Sequence, residues 1–261
     1  MHERILYNAC PLCDSIEIFN GPKGDCSKHD SYNQNLNPII QWMDCLDCGH
    51  QFASGYFSNN TLNSILSNTV KKQTVGYEIE KQRNISSKMI DKVIPFKSDG
   101  IWLDVGFGNG SLIFTAEEYG FDVIGVDLRH ENVDKMKKLG YKAYCDSVQN
   151  LKFEKKLSVV SMMDVLEHIP DPKQVLSFLN KNMSKGGCLL LSMPNKQNIL
   201  WKLLTLQSEN SYFGELEHYH NFSRTSLYYL LESCGFTPVS YGVSERYRCC
   251  MKIVATKKNI N

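Results

Sequence analysis

Residues 101–111 read IWLDVGFGNGS. An apolar run ends at Asp104 and Val105, glycines follow at 106, 108 and 110, and an amphipathic stretch opens at Ser111. This is the signature of a strand, a tight turn and a helix. Glycine tolerates positive φ and leaves the main chain open to a close neighbour. The helix start behind such a turn offers unpaired N–H groups to an acceptor. A plain strand-to-helix turn without a ligand is the simpler alternative for a glycine triplet alone.

The same alternation continues downstream. Strands are expected over 101–105, 122–126, 143–145, 157–163 and 188–193, with helices over 111–119, 131–139 and 172–183. Strands alternating with helices at this interval form βαβ units, so the fold class is α/β with a mainly parallel sheet. A helix over 224–234 and strands over 237–243 and 248–255 close the chain, ahead of a KKNIN tail expected to fray. Upstream, Ile79, Ile85, Met89, Ile90 and Val93 recur at helical spacing until Pro95. Residues 56–98 are therefore expected to be a helical connecting segment, and 99–261 the main domain.

Residues 1–55 form a third region. Two CxxC pairs, Cys10/Cys13 and Cys45/Cys48, sit in turn-like contexts, the second followed by Gly49. Paired CxxC knuckles are a strong signal for tetrahedral zinc, and four thiolates make a closed, structural site. The intervening loop is longer than the usual ~15–20 residues, so Cys26, His29 and His50 stay open as alternative ligands. The residues between the knuckles are polar and turn-rich up to an apolar run at 38–43, a pattern of two knuckles carried by short strands. Ten cysteines without an apolar leader in MHERILYNACPLC point to a reducing cytoplasm rather than a disulfide framework. Cys145, Cys188, Cys234, Cys249 and Cys250 lie in apolar contexts and are expected in the core. No membrane span is expected, because no run of about 18 apolar residues occurs. With 29 Lys and Arg against 28 Asp and Glu, no bulk charge holds the chain on nucleic acid.

The glycine spacing discriminates between ligand classes. A dinucleotide fingerprint is GxGxxG, whereas here Ser111 occupies the third glycine position and the pattern is GxGxG. Asp104 would repel a pyrophosphate and attract a cation. Asp127, with Leu128 beside it, ends the second strand, where a carboxylate accepts from ribose hydroxyls. Asp146 and Ser147 follow the third strand, within reach of an adenine amino group. An exposed strand-end acid at 127 and a turn or cap acid at 146 are the alternatives.

Together LDVGFGNG, GVDL, the CDS after the third strand and MMDVLEHIPDP after the fourth resemble class I S-adenosylmethionine (SAM)-dependent methyltransferases over residues 101–195. The resemblance implies a Rossmann-like seven-stranded sheet ending in an antiparallel hairpin, preceded here by a zinc ribbon. It implies that Asp104 and the backbone at Gly106, Gly108 and Gly110 hold the methionyl end. Asp127 would take the ribose, Asp146 with Ser147 the adenine, and Met163 and Asp164 would line the floor near the methyl group. Phe107 departs from the smaller residue that is commoner there. CPxC…CxxCG ribbons also precede similar enzymes, among them sugar C-methyltransferases, and Tyr56 and Tyr77 are candidates to project toward an acceptor.

Methyl transfer needs positioning and, for a protonated acceptor, a base. His168 in DVLEHIPDP lies where related ubiquinone-type O-methyltransferases carry a similar E-H pair, and it has the right ordinary pKa. A scaffold role, or a divalent ion held with Asp164 and Glu167, are alternatives. His218 and His220 in EHYHNFSR lie in an expected acceptor lid, 196–223, with Ser223 as a helix N-cap and 198–213 as an amphipathic flap. A buried packing cluster is the alternative. The expectation is a SAM-dependent methyltransferase acting on a hydroxyl of a sugar, phenolic or polyketide-like small molecule, with carbon or nitrogen next. The competing classes are a methyltransferase whose ribbon recognises a protein or other macromolecule, and a SAM-fold binding protein without turnover. A homodimer is left open.

Overall fold

The computed structural model describes residues 4–58, 61–62, 65, 71–247 and 249–258. Parts of the segment 56–98, the start of the strand expected at 248 and the end of the tail lie outside them. The strands in chain order are β1 (Ile5–Leu6), β2 (Ile18–Asp25), β3 (Ile39–Cys45), β4 (Gln51–Ala53) and β5 (Gly55–Tyr56). Next come α1 (Ile79–Ile90), β6 (Ile101–Val105), α2 (Ser111–Glu118), β7 (Asp122–Val126), α3 (His130–Lys138), β8 (Lys142–Tyr144) and β9 (Leu157–Met163). The remainder is α4 (Pro172–Asn182), β10 (Met183–Pro194), α5 (Ile199–Leu206), β11 (His220–Asn221), α6 (Arg224–Ser233), β12 (Phe236–Val243) and β13 (Cys250–Lys257). The chain separates into two compact units. One is Met1–Asn68 with Leu166–Lys173 and Pro194–Leu230; the other is Thr69–Val165 with Gln174–Met193 and Leu231–Asn261.

The second unit is built on a seven-stranded sheet of order β12-β13-β10-β9-β6-β7-β8. Pairings among β6 to β10 are parallel, and β12 and β13 are antiparallel. Every residue of β9, LSVVSMM, is buried, as a central strand covered on both faces requires. Trp102, Met89, Ile90, Leu112, Phe121 and Leu190 belong to one core cluster, and Trp102 Nε1 donates to Ser161 Oγ at 2.8 Å. β6, β7 and β9 coincide with the expected strands. β10 begins earlier than expected, because Met183 pairs with Leu157 before the register shifts at Cys188. Gly186, at φ 65°, lies within that break. Because β6, β7, β8 and β9 run parallel, their carboxyl ends share one sheet edge, where open α/β sheets place ligands.

The first unit carries an antiparallel sheet of order β11-β4-β3-β2 and a β1–β5 pair. β2 extends the short strands expected to carry the knuckles into residues that read as turns. Its backbone pairs along β3, and a register shift between Asn20 and Lys23 absorbs Gly21 and Pro22. Glycine is required in this strand, because a Cβ on Gly24 would stand 1.7 Å from the carbonyl oxygen of Phe213. Trp42 Nε1 donates to that same carbonyl at 2.9 Å. Leu216 and Tyr219 share a buried cluster with Trp42, Ile40 and Ala53, and Ala53 N–H donates to Tyr219 O at 2.9 Å. The segment expected as a lid over 196–223 thus supplies a strand and core side chains to the sheet of the cysteine-bearing unit. The compact units accordingly divide the chain differently from boundaries at 55/56 and 98/99.

Gly24→Ala forces a side chain against backbone, and overpacking of this kind costs about 1–3 kcal/mol. Urea denaturation should show that loss; an unchanged midpoint would contradict the close approach of β2 to Phe213.

Candidate cofactor crevice and cysteine cluster

The turn after β6 has the backbone its sequence demands. Gly106, Gly108 and Gly110 have φ of 70°, 52° and 76°. A Cβ on Gly106 would strike Val165 Cγ2 at 2.5 Å, so this glycine is fixed by packing. A Cβ on Gly108 would meet nothing nearer than Gly106 O at 4.0 Å. That glycine borders open space, as a ligand cradle requires. Phe107 turns inward and packs with Ile113, Val133, Met136 and Ala143. Gly125 on β7 makes room for its ring, since a Cβ there would lie 2.8 Å from Phe107 Cδ1.

Asp127 ties the second strand to this turn. Its Oδ2 accepts from Gly108 N–H at 3.0 Å and its Oδ1 from Arg129 N–H at 2.9 Å, with Arg129 Nη1 at 3.4 Å. The residue is buried, while Leu128 beside it is exposed. Asp146 and Ser147 are exposed after β8. Asp146 Oδ1 accepts from Ser147 N–H and Asn150 Nδ2, both at 2.7 Å, the local turn bonding that the alternative reading of this acid describes.

Asp104 is buried at the end of β6, and its Oδ1 accepts from Ser161 Oγ at 2.6 Å. Burial pushes its carboxyl up to about 7, against the Ser161 hydrogen bond and the charge of Arg246. Met163 is buried in the core. Asp164, just past β9, adopts φ 59°, accepts from Ser192 Oγ at 2.6 Å on Oδ1, and keeps Oδ2 buried without a hydrogen bond among the described residues. Two groups escaped the sequence reading. Arg246, in the β12–β13 turn, places Nη1 3.8 Å from Asp164 Oδ2. Residues 73–77 lie beside the glycine turn: Gly76 N–H donates to Asn109 O at 3.0 Å, and Asn132 Nδ2 donates to Gln73 O at 2.9 Å. Gln73 Oε1 is buried without a hydrogen-bond partner among the described residues. Tyr77, in the same segment, donates its hydroxyl to Glu78 Oε1 at 3.0 Å.

In the other unit, the thiols of Cys10, Cys13, Cys45 and Cys48 all lie within 4.8 Å of one another. Cys10–Cys48 and Cys13–Cys45 Sγ separations are each 3.6 Å. Four sulfurs around zinc at ~2.3 Å stand about 3.8 Å apart, so the donor set fits that ion. The alternative ligands are engaged elsewhere. Cys26 points to Asn37 O, His29 pairs with Glu215 at 3.3 Å, and His50 is buried against His220. Tyr56 packs against Tyr7 and Tyr219.

The histidines separate into two groups. His168 Nδ1 donates to Glu217 O at 3.0 Å, leaving Nε2 as its acceptor nitrogen when neutral. Its ring meets His218 edge-on with centroids 4.7 Å apart, and one ligand atom each of Glu167, His168 and His218 lies within 4.8 Å of the others. His218 is buried, its Nδ1 has no hydrogen-bond partner among the described residues, and burial holds its pKa well below the usual value. His220 corrects the expectation of a site-facing base. Its Nε2 donates to Ile169 O at 2.9 Å and its Nδ1 receives His50 Nε2 at 3.1 Å, so both nitrogens are committed within packing. Burial brings its pKa down to about 4.

Residues 79–241, more than half the chain, match the family model described as a methyltransferase domain. The chain belongs to this family. It is 29% identical over 127 residues to the ubiquinone biosynthesis O-methyltransferase of Idiomarina loihiensis, covering 43% of this chain and 51% of that protein. It is 26% identical over 161 residues to the enzyme of the same name from Proteus mirabilis, covering 51% and 66%. The chain thus spans about half to two thirds of the length of these curated relatives. The crystal structure of Burkholderia thailandensis 1,6-didemethyltoxoflavin-N1-methyltransferase, with its acceptor and S-adenosylhomocysteine bound, superimposes with a TM-score of 0.58 at 18% identity. That match covers 82% of this chain and 98% of that one. The fold is therefore the Rossmann-like class I methyltransferase fold. Among the described residues, no helix is long and apolar enough to cross a membrane.

The Asp104 shift gives a pH prediction. Its folded pKa lies above the unfolded one, so between pH ~4 and ~7 the folded state holds the extra proton. Its contribution to stability is present at low pH and is lost as pH rises through about 7. Asp104→Asn should therefore gain stability relative to the parent between pH 5 and pH 8 without ligand. Parallel denaturation curves with the same pH slope for both proteins would contradict the assignment.

Proposed function

We propose that this chain is a SAM-dependent methyltransferase that carries a methyl group to a hydroxyl of a sugar, phenolic or polyketide-like small molecule. The observation that carries the cofactor reading is the bond from Gly108 N–H to Asp127 Oδ2. It sets a buried carboxylate beside an open stretch of main chain, with Asp104 and Asp164 at neighbouring strand ends. A pyrophosphate would meet acids here; a nucleoside with an ammonium and a sulfonium would meet counter-charges. In this reading Asp127 accepts the ribose hydroxyls and Leu128 lies beside the adenine, whose amino group is taken by Asp146 with Ser147. Asp104 takes the ammonium, with the backbone of Gly106, Gly108 and Gly110 against the methionyl end and Met163 and Asp164 below it. The curated relatives' names specify O-methyl transfer, which favours oxygen as the accepting atom.

SAM supplies a methyl group on a neutral leaving group, so the protein's part is alignment and removal of the acceptor's proton. His168 is the proposed base: its Nδ1–H is anchored on Glu217 O, which leaves the Nε2 lone pair as the acceptor of the neutral ring. His218, buried and neutral against its ring, is the proposed orienting group. Zinc on Cys10, Cys13, Cys45 and Cys48 would be structural, because four thiolates leave no open coordination position. The cysteine-rich, charge-balanced chain fits a cytoplasmic enzyme of small molecules better than a nucleic-acid binder.

Thermal or chemical denaturation with SAM at 100 times its dissociation constant should add about 2.7 kcal/mol of stability. Asp127→Ala should remove that gain; a full gain in the variant would refute the ribose assignment, and none in the parent would refute cofactor binding. Elemental analysis should find about one zinc per chain, absent in Cys13→Ser. A metal-free parent that folds normally would overturn the ribbon.

A further inference from the structure

The β12–β13 turn brings a cation to a place where the mechanism above uses only acids. Arg246 Nη1 lies 3.8 Å from Asp164 Oδ2, beyond hydrogen-bond length, and Asp164 Oδ2 is buried without a hydrogen bond among the described residues. Among the described residues the guanidinium donates no hydrogen bond; its other neighbour is the ring of Tyr247, at 5.7 Å. Arg246 is thus a partly exposed fork of five N–H donors held next to a carboxylate that it does not ligate.

Its position is built rather than incidental. Arg246 N–H donates to Ser244 Oγ at 3.2 Å, Ser244 Oγ lies 3.5 Å from Ser192 Oγ, and Ser192 Oγ donates to Asp164 Oδ1 at 2.6 Å. This chain of hydroxyls links the turn to the strand end that carries Asp164. On the other side, buried Lys252 donates to Glu245 Oε1, fixing the neighbouring residue of the turn. The charge of Arg246 also reaches Asp104. A guanidinium therefore stands beside Asp164 at the end of β9, with Asp104 on the neighbouring strand β6.

We infer that Arg246 binds the α-carboxylate of the methionyl group of SAM, while Asp104 and Asp164 take its α-ammonium. The methionyl end of the cofactor is a zwitterion, and this end of the crevice carries charges of both signs at fixed positions. A guanidinium suits the task because its fork matches a carboxylate in a bidentate way that a lysine ammonium does not. Closing on the carboxylate gives the fork the hydrogen bonds it lacks and leaves Asp164 Oδ2 free for the ammonium. The inference rests on the cofactor reading, and its test separates the two.

The probes are SAM and decarboxylated SAM, which keeps the sulfonium and amine but lacks the carboxylate. Both are titrated calorimetrically into the parent, Arg246→Ala and Arg246→Lys. The parent should prefer SAM. Arg246→Ala should weaken SAM by about 10–100-fold, the worth of a charge-assisted hydrogen-bond pair, and change decarboxylated SAM by about twofold or less. Arg246→Lys should fall between the two. Equal losses for both ligands, or none for SAM, would overturn the assignment. Unchanged SAM affinity with a raised KM for an acidic acceptor would overturn it in favour of acceptor recognition. A parent that binds neither ligand would instead refute the cofactor reading.

Discussion

The crevice depends on a strip of main chain with no side chains on it. Gly106, Gly108 and Gly110 all take positive φ, each for its own reason. At Gly106 a side chain would collide with Val165; at Gly110 it would press on Phe114 and Met136; at Gly108 it would project into open space. Asp127 then pins the middle of the strip through Gly108 N–H. Substitution at any of these positions acts on both folding and access, because turn and cradle are the same atoms. The buried Asp104 behind it is costly to ionise without a partner, so a cation arriving there offsets a penalty that the folded chain already carries.

In the cysteine-bearing unit, a core joins pieces far apart in sequence. Tyr219 and Leu216 pack with Trp42 and Ala53, and β11 pairs with β4. The loop after β9 is held in the same unit: Tyr219 N–H donates to Glu167 O at 2.8 Å, and His220 reaches Ile169 O. The proposed base His168 therefore stands on a segment braced by side chains of the 194–230 region. Metal at the four cysteines would stabilise this unit through the strand β3 that ends in Cys45.

The parallel sheet was legible because its strands are apolar runs alternating with amphipathic stretches, and β6, β7 and β9 lie where 101–105, 122–126 and 157–163 were expected. The cysteine cluster was legible from spacing alone. The length of β2 was not, since FNGPKG reads as turns until a partner strand takes up its hydrogen bonds. Arg246 was invisible for another reason: a lone arginine in a hairpin turn carries no pattern, and only the fold brings it to Asp164. His220 misled because adjacent imidazoles look catalytic in one dimension, whereas its two nitrogens are spent on His50 and Ile169.

The edge formed by β6, β7 and β8 is proposed as the seat of a cationic nucleoside. A crystal structure of the protein grown with S-adenosylhomocysteine tests it most directly. Both ribose hydroxyls should lie within about 3.2 Å of the Asp127 carboxylate, with the sugar over Gly108. A ligand bound elsewhere, or Asp127 still turned only to Gly108 and Arg129 with the ribose out of reach, would contradict it.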